Sequence, residues 1–311
     1  MKLALLFPGQ GSQVVGMGRD LAEHVPASGA VYARADAALG FGLSRLCFEG
    51  PEADLVLTAN TQPALLATSV AVLAAIRERW PALPTPTCAA GHSLGEYAAL
   101  VAAGALAFED ALLLVRARGA AMQHAVPAGE GSMAAIVGLD GEAVGAACVE
   151  AAQGEVVAPA NFNAPGQVVI AGHAAAVARA STLAAARGGK AIALKVSAPF
   201  HCALMAPAAR ALDERLAQVR AGAFAFPVVA NVDATPYAAP ALVRERLVRQ
   251  VDHAVLWEAS VRALIAMGVT HAIEVGPGKV LAGLAKRIAR DLPVLSVADV
   301  AGVESLAPWL A

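Results

Sequence analysis

Short apolar runs that stop at glycine turns alternate with helical patterns along this 311-residue chain, which predicts an α/β fold. A second observation divides it. Between about 128 and 197 the order of patterns is strand, helix, strand, strand, helix, strand, a βαββαβ unit of the ferredoxin-like kind. A compact small unit (128–197) is therefore expected as an insertion in a larger one built from 1–127 and 198–311. A third observation is the frame Gly91-His92-Ser93-Leu94-Gly95, which falls where a strand pattern gives way to a helical one.

The elements follow in order. Leu3 to Phe7 is an apolar run closed by Pro8-Gly9, as in a buried strand. A long stretch free of charge, Leu55 to Ile76, contains Asn60, Gln62 and Pro63, so it reads as a loop entering a buried helix over 62–80 and not as a membrane span. Residues 85–93 read as a strand running into a sharp glycine turn. A helix of small residues over 94–106 and another helix over 108–125 come next. Within the small unit the expected strands are 132–139, 155–163, 167–172 and 190–197, and the helices are 141–152 and 174–188. Strands at 226–232 and 271–278 and a helix at 279–292 complete the larger unit. No repeat or low-complexity tract interrupts this plan.

Composition narrows the function classes. A net charge of -2, with 15% charged residues, gives no basic excess for nucleic acid. The apolar run after Lys2 is too short for a signal-peptide core, so a cytoplasmic protein without membrane attachment is expected, and a monomer is compatible with the sequence. Cys47, Cys88, Cys148 and Cys202 are widely spaced, with no C-x-x-C pair. They suggest neither a metal knuckle nor a disulfide framework, and read as reduced and mostly buried.

In a G-x-S-x-G elbow the glycines let a strand turn abruptly into a helix, which exposes the serine hydroxyl and turns the next main-chain N–H toward a developing oxyanion. Ser93 would be the nucleophile and Leu94 the N–H donor. The plainer alternative is a serine that caps a helix after a glycine turn. A hydroxyl nucleophile needs a base, and seven histidines are present. His92 is adjacent in sequence and would point elsewhere. His24, His124, His253 and His271 sit in charged or helical surroundings, and His173 follows a strand of the insertion. His201 stands where the chain re-enters the larger unit and would line a cleft between the two, although a histidine beside apolar residues is more often structural. The glycine-rich turn "FPGQGSQ" (7–13) lacks the third glycine of a dinucleotide fingerprint, since position 14 is Val. It could instead aim an N–H at an anionic oxygen.

Taken together, "FPGQGSQ", "GHSLGEYAAL", "VRARGAAMQ", "NFNAPGQVVIAG", "APFHCALM" and "EVGPGKVL" resemble, in order and over nearly the whole chain, the malonyl-CoA:acyl-carrier-protein transacylases of bacterial fatty-acid synthesis. The resemblance implies an α/β-hydrolase-like large domain with a ferredoxin-like small domain, malonyl-CoA as substrate, acyl carrier protein as partner and no bound cofactor or metal. It also implies a ping-pong route in which Ser93 attacks the thioester and His201 takes its proton. Gln10 and Leu94 would supply the oxyanion N–H groups, Arg118 would hold the malonyl carboxylate, and the main-chain carbonyl near Gln250 would steady the histidine. Asn161 and Asn163 would line the pocket from the small domain, and Arg116 reads as a solvated helix charge. Phe200 departs from the polar residue that close bacterial relatives often carry before the histidine; in related domains a phenylalanine there accompanies malonyl preference. A polyketide or malonate-decarboxylation transferase, and less so a serine esterase, fit the same chemistry. Lys286, Arg287 and Arg290 form a basic cluster with one-turn spacing that would steer an acidic carrier.

Overall fold

The computed structural model describes residues 1–194, 196 and 198–310. Strand β1 (Leu3–Phe7) lies at the centre of a five-stranded parallel sheet with β2 (Cys88–Gly91), β7 (Val228–Val229), β8 (His271–Val275) and β9 (Val294–Val297), in the order β7-β2-β1-β8-β9. Every residue of β1 and β2 is buried. Both faces of the sheet are covered, which is why these strands are continuous apolar runs without polar alternation. Leu3, Leu5 and Phe7 project into the main core, while Ala4 and Leu6 project into a second cluster on the opposite face.

Helices α1 (Arg19–His24), α2 (Pro26–Leu39), α3 (Leu43–Glu49) and α4 (Glu52–Leu55) lead to the long α5 (Thr58–Arg79), which packs with α6 (Gly95–Ala102) and α7 (Phe108–His124) on the main-core side. By length and composition α5 could cross a membrane, but 78% of its apolar window is buried in this fold. It begins earlier than expected. Asn60, Gln62 and Pro63 belong to the helix and not to a loop, because Pro63 removes only one N–H near the first turns and packing of the remaining face outweighs that loss.

Strands β3 (Gly131–Val137), β4 (Val157–Ala164), β5 (Gln167–His173) and β6 (Lys190–Ala193) form a separate antiparallel sheet in the order β4-β5-β3-β6. Helices α8 (Gly141–Ala152) and α9 (Ala174–Ala186) cover one of its faces. Asp140 starts α8 by accepting the Ala143 N–H at 2.8 Å. The period of two is visible here. Ala134, Ile136, Val168 and Ile170 pack under the helices, whereas Met133, Val169 and Ala171 join the main core. Lys195 and Ser197, at the end of the strand expected over 190–197, lie outside the described residues.

A 3-10 turn (Ala203–Met205), α10 (Ala206–Leu216), α11 (Leu242–Asp252), α12 (Trp257–Ala266), α13 (Val280–Ile288), α14 (Val300–Glu304) and α15 (Ala307–Leu310) complete the chain. Trp257, Val261, Leu281 and Leu284 carry α12 and α13 against the second face of the parallel sheet. The strand expected at 226–232 keeps only Val228–Val229, because the chain leaves the sheet to turn Asn231 into the site described below. The two sheets are fastened together. Val255 donates to Ala160 O and accepts from Phe162 N, both at 2.9 Å, and Arg287 reaches Gln167 Oε1 at 2.5 Å and Pro165 O at 3.1 Å. Arg287 is therefore tied to the small sheet, while it stays exposed together with Lys286 and Arg290.

Candidate active site

In the parallel register Phe7 stands beside Gly91, so the turns that follow β1 and β2 emerge side by side at the carboxyl edge of the sheet. The His92 N–H donates to Phe7 O at 3.0 Å and locks them together. Ser93 occupies the tip of the second turn with φ of 51°, a left-handed conformation uncommon for a side chain of this type. Only glycines fit around it. A Cβ on Gly91 would stand 1.9 Å from the Gly95 carbonyl carbon, and one on Gly95 would stand 2.0 Å from Phe7 O. Asn231 pins the turn by accepting the Ser93 N–H at 2.6 Å and donating to Gly91 O at 2.7 Å. Ser93 is thus not a helix cap: its hydroxyl lies 2.8 Å from His201 Nε2.

His201 is buried, at 5% exposure, and is held at φ of 59°. Its Nδ1 lies 2.8 Å from Gln250 O, a carbonyl in the last turn of α11 that has no partner within the helix. Since a carbonyl only accepts, Nδ1 carries the proton and Nε2 offers its lone pair to the Ser93 hydroxyl. Burial, with the Arg118 charge second, pushes the imidazole down to about 3, so it is a neutral base at ordinary pH.

Arg118 projects inward from α7 and is 1% exposed. Its Nη1 donates to Gln62 Oε1 at 2.9 Å, and Nη2 donates to Gln250 Oε1 at 2.8 Å and to Ser93 Oγ at 3.0 Å. Among the described residues no carboxylate stands within ion-pair distance of it, and its Nε–H has no partner. A buried guanidinium that no carboxylate touches is costly and attracts an anion. Arg116, two residues away, faces oppositely. It corrects the expectation of a solvated charge: it is half-buried, its guanidinium lies 4.3 Å from the Phe41 ring centroid, and its Nη1 is a buried donor.

A cavity of about 380 Å³ opens onto Ser93, His201 and Arg118, and is lined by Gln10, Gln62, His92, Leu94, Met122, Met133, Asn161 and Phe200 among others. Among the described residues the main-chain N–H groups of Gln10 and Leu94 have no internal partner. Asn161 is buried at the wall. Asn163 is not a wall residue; it holds His92 Nε2 at 2.8 Å, and His92 packs on Trp257 with ring centroids 5.5 Å apart. The four cysteines are free and buried, and burial pushes Cys202, beside His201, up to about 11, too high for a thiolate.

Sequence reasoning did not find Glu96, Asn231, Tyr237 or Gln62. Glu96 is wholly buried one turn after Ser93; Tyr237 donates to its Oε1 at 2.5 Å, and Gln250 Nε2 and the Asn231 N–H donate to Oε2 at 2.6 and 3.0 Å. Burial pushes this carboxyl up to about 7 against those hydrogen bonds and the Arg118 charge. The available signal was a polar residue inside an apolar run: Glu96 within "GEYAALVA" and Asn231 within "FPVVANV".

A serine hydroxyl set between a neutral imidazole and a buried guanidinium, at the carboxyl edge of a parallel sheet, has the geometry for covalent transfer of an acidic acyl group. The chain belongs to the acyl transferase domain family, whose profile matches residues 4–307. It is similar to the malonyl CoA-acyl carrier protein transacylase of Escherichia coli strain K12, with 51% identity over 292 residues and 94% of each chain covered. It is also similar to a crystal structure of an acyl carrier protein S-malonyltransferase from Vibrio cholerae, at 49% identity and a TM-score of 0.95, covering 98% of this chain and 100% of that one. A third likeness is a malonyl-transacylase in complex with its type II PKS acyl-carrier protein, at 46% identity, a TM-score of 0.94 and 98% coverage of both.

Proposed function

We propose that this protein moves the malonyl group of malonyl-CoA to the phosphopantetheine thiol of acyl carrier protein through an ester on Ser93, and so feeds fatty-acid synthesis. The observation that carries this reading is Arg118, buried with no carboxylate in direct contact and 3.0 Å from the nucleophile. A planar guanidinium fork matches a carboxylate, and malonyl is distinguished from acetyl by that group alone.

In the proposed sequence the Ser93 oxygen attacks the thioester carbon as His201 Nε2 takes the hydroxyl proton. The N–H groups of Gln10 and Leu94 receive the oxyanion. Collapse breaks the carbon–sulfur bond, and the proton on His201 passes to the departing CoA thiolate. The carrier thiol then gives its proton to His201, its sulfur attacks the ester, and Ser93 is regenerated. Pairing a malonyl carboxylate with Arg118 relieves part of the depression of His201, so the base strengthens when an acidic acyl group is bound. Side chains and main-chain N–H groups suffice for these steps, and no bound cofactor is called for.

The same reading treats residues 128–197 as a ferredoxin-like domain inserted in an α/β-hydrolase-like domain of 1–127 and 198–311. The strand order β6-β3-β5-β4, with both helices on one face, supports the first half. Lys286 and Arg290, which with Lys279 border a groove beside α13, are proposed to attract the acidic carrier.

Intact-protein mass spectrometry tests the core of it. Malonyl-CoA should leave one malonyl group on the protein, carrier protein should remove it, and Ser93→Ala should never acquire it. An adduct that forms on the alanine variant would overturn the nucleophile assignment.

A further inference from the structure

We infer that Glu96 is a positioning residue that orients the side chain of Gln250, and through it the guanidinium of Arg118, toward the acyl group. This inference rests on the malonyl reading above.

Gln250 serves two partners with two different groups. Its main-chain carbonyl holds His201 at 2.8 Å, and its side-chain Oε1 accepts from Arg118 Nη2 at 2.8 Å. The carbonyl is fixed by helix α11. The side-chain amide is not, since its oxygen and nitrogen ends are nearly the same shape, and only its partners decide which end faces which way. At one end stands Arg118, which can only donate. At the other end stand the Glu96 carboxylate, 2.6 Å from Nε2, and the Ser93 carbonyl at 2.9 Å, which can only accept. A turned amide would meet donors with donors and acceptors with acceptors, so the observed orientation is the one that satisfies all three.

Glu96 is itself immobilised. Tyr237 holds one carboxylate oxygen, the Asn231 N–H holds the other, and Asn231 also pins the Ser93 turn. The result is a continuous chain from carboxylate to amide to guanidinium to the Ser93 oxygen. Glu96 and Arg118 carry opposite charges, so the two hydrogen bonds that join them through Gln250 are polarised in the same sense. The carboxylate occurs one turn after the nucleophile in sequence, but it touches neither the serine hydroxyl nor the cavity wall. Of its two outward routes, Asn231 leads to the Ser93 turn and only Gln250 leads to Arg118.

Glu96→Gln tests this, since it keeps the volume and removes the charge. Two readouts are taken at pH 8, above the value of about 7 to which burial pushes the Glu96 carboxyl. The first is malonyl transfer from malonyl-CoA to carrier protein. The second is covalent labelling of Ser93 by a neutral fluorophosphonate, which needs His201 but has no carboxylate for Arg118. The variant should lose about tenfold in kcat/KM for malonyl-CoA, mostly in KM, as expected when a charge-assisted hydrogen bond becomes a neutral one. Fluorophosphonate labelling should stay within about threefold, because the Gln250 carbonyl still holds the histidine. Tyr237→Phe removes one donor to Glu96 and should give the same split in smaller measure; it is the variant to read if Glu96→Gln fails to fold. Equal losses in the two assays, or unchanged malonyl transfer, would overturn the inference. Wild-type protein that reacts with the fluorophosphonate but takes no malonyl from malonyl-CoA would overturn the substrate reading itself, and this inference with it.

Discussion

The two sheets meet the cavity in different ways. Strands β1 and β2 are buried on both faces, so they can present chemistry only past their ends, and the turns beyond them supply Gln10, Ser93 and Leu94. The antiparallel sheet has helices on one face only, so the flanks of its strands are free to form a wall, and Met133 and Asn161 come from the middles of β3 and β4. A strand end held by hydrogen bonds and glycines fixes an atom to within a fraction of an ångström. A strand flank fixes a shape. Substitutions near the parallel edge should therefore change reactivity or substrate choice, and those on the antiparallel wall should change fit.

Arg118→Ala should have the largest effect. A hydrogen bond to a charged group contributes about 1.5 to 3 kcal/mol, and breaking a buried charged pair costs about 3 to 5 kcal/mol. The kcat/KM for malonyl-CoA should fall by roughly two to three orders of magnitude. Poor turnover of acetyl-CoA should hold level or improve, and Arg118→Lys should recover part of the loss. Arg116→Ala is the control from the opposite face of the same helix. With its ring contact to Phe41 it should lose about 1 kcal/mol of stability in urea unfolding but leave the malonyl-to-acetyl ratio unmoved. Equal loss of both substrates in Arg118→Ala would make that arginine structural and erase the contrast between the two regions.

On the wall, Met133→Ala should lower malonyl kcat/KM only a few-fold and admit longer acyl groups, at about 2 kcal/mol in stability. Charge reversal at Lys286 and Arg290 should be smaller still: a few-fold rise in the KM for carrier protein, vanishing at high salt, with the KM for malonyl-CoA constant. An unchanged carrier KM at low salt would remove this face from the docking surface.

The smallest expected change is with pH. Because His201 is held neutral down to about 3, fluorophosphonate labelling of Ser93 should keep its rate from pH 7 to about 5, where a free imidazole of pKa ~6.5 would lose most of its reactivity. The same depression has a stability consequence of known sign. As pH falls from about 6.5 toward 3 the unfolded chain binds a proton that folded His201 refuses, so this group destabilises the fold progressively through that window. Labelling that halves near pH 6.5 would show an ordinary, solvated histidine.

The sequence alone determined whatever depends on local periodicity and on residue types with narrow conformational demands. Apolar runs marked β1 and β8, the order strand, helix, strand, strand, helix, strand marked the small antiparallel sheet, and the glycines flanking Ser93 marked the elbow, because a Cβ at either position would overlap main-chain atoms. The resemblance carried by six short motifs brought Gln10, Arg118, His201 and Gln250 into one site. Tertiary structure alone decided which polar side chains face one another. The segments around Ser93, Asn231 and Gln250 are separated by more than a hundred residues between the first and second, yet they share one set of hydrogen bonds, and no local pattern records such a meeting. Glu96 went unnoticed in the sequence, and only the fold shows Tyr237, Asn231 and Gln250 closing around it. Arg287 looked like part of a free basic face until the β4–β5 turn came within its reach. Burial and hydrogen-bond geometry are properties of the packed chain, and they turn the same residue type from a solvated charge into an anchor.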